Sequence, residues 1–166
     1  MRATVLADPA ARVCADVLVT GFFEDVRPPQ GMAGQVDWLA GGKLSRLIVD
    51  HRVSGRLGET ALLSVPTFST PRVLCVGLGR SSDYTYLVLH QVAEALRPAL
   101  ESLQVKVAAV ELFGVQAGHL DPVIVARTIL TAWHQGESHN GIEIAFVAPK
   151  GSQPQQIEQR LREMGV

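Results

Sequence analysis

Apolar and polar positions alternate between two periods along this chain. Residues 73–76 (Val-Leu-Cys-Val) are apolar on both faces, the pattern of a strand covered on both sides. Gly77 and Gly79 follow, where side chains would obstruct a sharp turn. Ser81, Ser82 and Asp83 are N-cap candidates for a helix over 84–103. In that helix Leu87, Val88, Val92, Ala95 and Leu96 form the expected core stripe, and Pro98 predicts a kink or break. The same reading places further strands at 1–7, 13–22, 60–65, 105–112 and 142–148. Cys14 and Cys75 both fall inside predicted strands, and Asp16 falls at a strand start.

Between the strands, residues 24–31 hold two prolines, a glycine and mixed charge, and read as a loop. Short helices are predicted at 35–39 and 43–51, with Leu44, Leu47 and Ile48 on one face of the second and His51 at its end. Asp121-Pro122 marks a clean helix start, an N-cap followed by proline at the first helical position. That helix runs to about Gln135 and buries Val123, Ala126, Leu130 and Trp133, with Gly136 as its stop. Ser152 and Gln155 have capping-box spacing before a terminal helix with Ile157, Leu161 and Met164 on one side. The predicted order implies a single α/β domain over residues 1–166, a three-layer α/β/α sandwich on a mostly parallel, mixed sheet.

Composition narrows the function. Fifteen basic residues against sixteen acidic ones leave a net charge of −1. That balance provides no footprint for nucleic acid or an anionic membrane. No apolar run reaches the length of a bilayer span, and the N-terminus turns polar too soon for a signal peptide, so the expectation is a cytoplasmic protein. The two cysteines read as reduced small hydrophobes, without evidence of a metal or disulfide.

Candidate chemistry is sparse. His119, His134 and His139 lie near Asp121 and Glu137, but without helical metal-ligand spacing they read as polar residues on a surface loop, and no metal or cofactor is expected. No G-x-S-x-G elbow is present, and the adjacent Glu24 and Asp25 point apart in extended chain, so no catalytic residue is assigned. Two glycine segments remain as ligand-binding candidates. In the first, Gly77, Gly79, Arg80 and Ser81 would meet a small anion at a helix N-terminus, or the glycines serve only the turn. In the second, Gly31 and Gly34 would wrap a phosphate, or serve the di-proline turn.

The order of segments carries a family resemblance. The runs Gly41-Gly42-Lys43-Leu44-Ser45-Arg46-Leu47-Ile48, Gly55-Arg56-Leu57-Gly58-Glu59-Thr60-Ala61-Leu62-Leu63 and Arg72-Val73-Leu74-Cys75-Val76-Gly77-Leu78-Gly79 resemble, in this order, the N-terminal domain of cytosolic leucine aminopeptidases. The resemblance implies a macro-domain-like fold. It also implies that the family's two metals and catalytic residues belong to a C-terminal domain marked by an N-T-D-A-E-G-R segment, which is not found in these 166 residues. In that family the N-terminal domain helps organise a homohexamer, so the resemblance points to an assembly or binding module with a homo-oligomeric or protein partner. The fold relationship opens an alternative, a macro-type binder or hydrolase of ADP-ribose or nucleotides. Macro domains place asparagines where this chain has Thr20-Gly21-Phe22-Phe23.

Overall fold

The computed structural model describes residues 4–115, 120–134 and 141–165. Six strands, β1 (Thr4–Leu6), β2 (Val17–Phe22), β3 (Thr60–Ser64), β4 (Arg72–Gly77), β5 (Val107–Glu111) and β6 (Glu143–Val147), form one sheet in the order β1-β6-β5-β2-β4-β3. All neighbours are parallel except β3, which runs antiparallel to β4 with Leu62 opposite Leu74. The helices are α1 (Gly31–Leu39), α2 (Lys43–Val49), α3 (Tyr86–Ser102), α4 (Pro122–His134) and α5 (Pro154–Glu163).

The period of two along each strand divides the interior. Val17 and Val19, Leu74 and Val76, Val110 and Phe146 face α3, α4 and α5. Leu18 and Phe22, Val73 and Cys75, Ala109 and Val147 face α1 and α2. Each buried strand is apolar on both sides because helices cover both sides. The result is the three-layer, macro-domain-like α/β sandwich that the segment order implies.

Several expected boundaries move. α1 begins at Gly31, four residues before the expected start at Gln35, so Gly31-Met32-Ala33-Gly34 is its first turn and not a loop. Gly34 is glycine because a Cβ there would strike the Pro29 carbonyl oxygen. Cys14 lies outside β2 and is exposed; Cys75 is buried in β4. Ser81 to Asp83 form a separate 3-10 turn, and Thr85 caps α3 by accepting from the Val88 N–H at 3.3 Å. The buried stripe of α3 is consequently Leu89, Val92, Ala93, Leu96 and Leu100, whereas Leu87 is 70 % exposed and Ala95 lies outside. α3 runs unbroken through Pro98, whose ring faces solvent where water can take the freed carbonyl. Ser152 donates to Pro149 and does not cap α5, which starts with Pro154 after Gln153. Met164 follows the end of α5 and is exposed.

Other expectations hold in detail. Asp121 Oδ1 accepts from the N–H groups of Val123 and Ile124 at 2.8 and 3.2 Å, and Pro122 is the first residue of α4. The expected core residues of α4, Val123, Ala126, Leu130 and Trp133, are buried. Asp16, at the strand start, accepts from Lys106 and Val107 at 2.7 and 2.9 Å and ties the entry of β2 to that of β5. These two N–H groups hold its carboxyl below the usual range.

Candidate functional site

Parallel strands bring their carboxyl ends to one edge, the place where open α/β sheets form ligand crevices. Two cavities lie there. The larger, about 540 Å³, has Asp8, Met32, Gln35 and Lys150 in its wall. The smaller, about 340 Å³, is bounded by Phe23, Val26, Gln30 and Leu78. Both are lined by Gly31 and Glu111, so these two residues stand where the cavities adjoin.

Glu111 ends β5 on the side that faces α1. Its Oε2 accepts from the buried Thr20 hydroxyl at 2.5 Å and from the Gly21 N–H at 3.1 Å, both on the neighbouring β2. The Met32 N–H, in the first turn of α1, also donates to this carboxyl. Burial pushes the Glu111 carboxyl above the ordinary glutamate value, and the three donors act in the opposite direction. The Glu111 carboxyl thus sits at the N-terminus of α1, where partial positive charge accumulates.

Nothing in the sequence reading singled out Glu111, although a signal was present. It is an acid embedded in the apolar run Val107-Ala108-Ala109-Val110-Glu111-Leu112-Phe113, where a charge needs a reason.

The predicted ligand residues separate. Gly31 lines both cavities, and Gly34 packs against Pro29. In the turn after β4, the Gly77 N–H donates to Glu59, that of Leu78 to Phe22 and that of Gly79 to Gly55. The Ser81 N–H and hydroxyl both donate to Asp25, at 2.9 and 2.8 Å, which lowers the Asp25 carboxyl. The amides of Gly77, Gly79 and Ser81 therefore serve the protein itself, and Arg80 is exposed. Of this segment, Leu78 reaches the smaller cavity.

A second ring of contacts fixes the loop after β2. Arg27 donates to the carbonyls of Phe23 and Ser54, each at 2.6 Å. Glu59 gathers the N–H groups of Ser54 and Gly55 at 2.8 and 2.9 Å. In the histidine group, His119, Glu137 and His139 lie outside the described residues. His134 Nδ1 is 2.8 Å from the Leu130 carbonyl oxygen, one turn back. Asp121 pairs with Arg160 at 3.1 Å. Among the described residues no group of three His, Cys, Asp or Glu side chains converges as metal ligands would.

A mostly parallel sheet between helices, with its crevice at the carboxyl edge, defines a macro-domain-like protein. Solved structures bear out that class. The chain resembles the Oceanobacillus iheyensis macrodomain with ADP at a TM-score of 0.73 and 11 % identity, covering 96 % of this chain and 89 % of that one. It resembles the macrodomain of Mycobacterium tuberculosis DarG at 0.71 and 15 %, covering 90 % and 98 %. A mutant tomato leucine aminopeptidase matches at 0.69 and 20 %, over 96 % of this chain and 34 % of its own.

The family follows from sequence. The pattern of the cytosol aminopeptidase family, N-terminal domain, matches residues 19–137, and the chain belongs to that family. The probable cytosol aminopeptidase of Pseudomonas syringae pv. syringae is 30 % identical over 108 residues, 64 % of this chain and 22 % of the relative. That of a Geobacter species is 33 % identical over 103 residues, covering 61 % and 21 %. The chain therefore spans roughly a fifth of the length of the curated relatives it matches. Among the described residues no helix is long and apolar enough to cross a membrane.

Proposed function

We propose that this protein is a non-catalytic assembly module of the aminopeptidase N-terminal type, acting in the cytoplasm, whose partner is a second copy of the same chain. The observation that supports this reading is the free edge of β3. Among the described residues it pairs with β4 on one side only, and its outward positions Thr60, Leu62 and Ser64 are exposed. Edge strands are commonly blunted with charge, proline or a bulge. The segment Thr60-Ala61-Leu62-Leu63-Ser64 contains no charged residue, proline or glycine, and Leu62 is 49 % exposed; the Lys43 ammonium caps the Ser64 carbonyl at 2.5 Å, which leaves the edge open at Thr60 and Leu62. An edge of that kind suits self-pairing about a two-fold axis. Light scattering across a concentration series tests it. Association that Leu62→Lys abolishes, with the thermal midpoint of the dilute protein unchanged, is the expected result. A wild-type monomer at every concentration refutes the reading.

A second reading is favoured by a different observation, the crevice of two adjoining cavities at the carboxyl edge. A volume of about 540 Å³ falls within the range of small-molecule sites. Under this reading the protein binds a small ligand, and stabilisation that grows with ligand concentration is its signature.

A further inference from the structure

The free edge of β3 has a definite length and a definite centre. The Glu59 carbonyl accepts from Gly77 and the Val65 N–H donates to Pro71, so the odd-numbered positions bond to β4. Antiparallel ladders alternate, which turns the backbone N–H and C=O groups of Thr60, Leu62 and Ser64 away from β4. The Lys43 ammonium agrees with this direction, since it reaches the Ser64 carbonyl from the start of α2.

Both ends of this row are closed. Beyond Ser64, the Val65 N–H is committed to Pro71, and Pro66 has no N–H to offer. Before Thr60, the Glu59 N–H donates to Arg56 and the Gly58 N–H to Gly77. What remains is Thr60, Leu62 and Ser64, with Leu62 in the middle.

A row closed at both ends and centred on one residue is complementary to its own copy about a two-fold axis. In antiparallel pairing about Leu62, Thr60 stands opposite Ser64 of the second copy, and Leu62 opposite Leu62. Each opposed set is a hydrogen-bonded pair that exchanges two bonds, roughly six in all. A shift either way loses a pair. The half-exposed Leu62 side chains then meet side by side on one face.

Deepening the assembly reading, on which it rests, we infer that two copies join β3 to β3 antiparallel about Leu62, and that Lys43 is the group this ladder displaces. Lys43 is the first residue of α2, where the helix dipole disfavours a cation. Its charge is held by the same Ser64 carbonyl that the Thr60 N–H of the second copy must take. Self-pairing thus meets an internal competitor at each end of the ladder.

The test is disulfide trapping of the whole chain in a Cys14→Ser background, which removes the exposed native thiol and leaves the buried Cys75. Opposed residues of a hydrogen-bonded pair stand about 5.5 Å apart at Cα, within reach of a disulfide. Leu62→Cys should therefore form a covalent dimer under oxidised glutathione. Thr60→Cys alone should not, because its two copies lie about 14 Å apart along the ladder. Thr60→Cys combined with Ser64→Cys should cross-link again, and it keeps the Leu62 contact in place. Lys43→Met retains the aliphatic stem without the charge and should tighten association roughly threefold or more in light scattering.

Association without a cross-link in either Leu62→Cys or the double variant overturns the register and leaves the assembly reading standing. A covalent dimer of Thr60→Cys alone does the same. A monomer at every concentration removes both. Unchanged association in Lys43→Met overturns the part given to Lys43.

Discussion

The Arg56 carbonyl oxygen fills the space in which any side chain at position 77 would have to begin. The approach follows from two hydrogen bonds around the end of β4: the Gly77 N–H donates to Glu59 at 2.7 Å, and its carbonyl accepts from Gly58 at 3.0 Å. Gly77 is thus required by the neighbouring loop. Gly77→Ala should destabilise the protein by about 2–3 kcal/mol, as overpacking against backbone does. Gly41 is a useful contrast, with nothing near its missing Cβ but φ +67°. Gly41→Ala should cost about 1 kcal/mol from backbone strain alone. Urea unfolding of both variants measures the difference, and equal losses would refute the steric account.

Asp121 serves α4 twice, as its N-cap and as the partner of Arg160 on α5. Asp121→Ala should cost about 1 kcal/mol, most of it from the cap. Arg160→Ala should cost less, since a half-exposed pair contributes little. A larger loss in Arg160→Ala by thermal unfolding would reverse that ranking.

The acid limb of stability should reflect four carboxyls held low, those of Asp16, Asp25, Glu59 and Asp121. At Asp16 the cause is the N–H groups of Val107 and Lys106. At Glu59 and Asp121 burial pushes upward but the surrounding donors outweigh it. A carboxyl with its folded value below its unfolded one contributes stability above the unfolded value and loses it as pH falls through the folded one. Stability should therefore decline at and below the ordinary carboxylate range. Glu59→Gln should flatten part of that decline in denaturant titrations at several pH values. Glu111 has the opposite sign: burial raises it, so its protonated state is the one the fold favours, and that contribution fades as pH rises.

The two thiols should react very differently. Cys14 is exposed, whereas Cys75 is enclosed in β4 with its thiol pushed up to about 12, first by burial and then by Glu111 and Asp37. Since the thiolate is the nucleophile, a disulfide reagent should label Cys14 in the native protein and Cys75 only after unfolding. Rapid native labelling of both sites would contradict this.

Trp133 Nε1 donates to the Ala93 carbonyl at 2.6 Å and joins α4 to α3. Trp133→Phe keeps an aromatic ring but removes the donor and leaves a void. A loss of about 1–3 kcal/mol is expected in chemical denaturation.

What was legible in the sequence was mostly local. The run Val73 to Val76 and the Asp121-Pro122 start announce β4 and α4 because each signal is complete within a few residues. α1 was obscured because Gly31 and Gly34, read singly, resemble a turn; Gly34 is demanded by Pro29, a tertiary contact. α3 was displaced because Ser81, Ser82 and Asp83 look like caps, while Thr85 supplies the cap and rotates the buried face past Leu87. Glu111 is a harder case, since its partners Thr20 and Gly21 lie some 90 positions away along the chain.

The loop at residues 54–59 connects regions that otherwise stand apart. Gly55 receives the Gly79 N–H and lies against the backbone of Phe23 and Glu24; Ser54 receives Arg27; and Glu59 leads directly into β3. The crevice wall at Phe23 and the free edge at Thr60 are thus ends of one short linkage. If occupancy of the crevice alters pairing at that edge, pairing must alter the affinity of the crevice by the same factor, because coupling free energy is reciprocal.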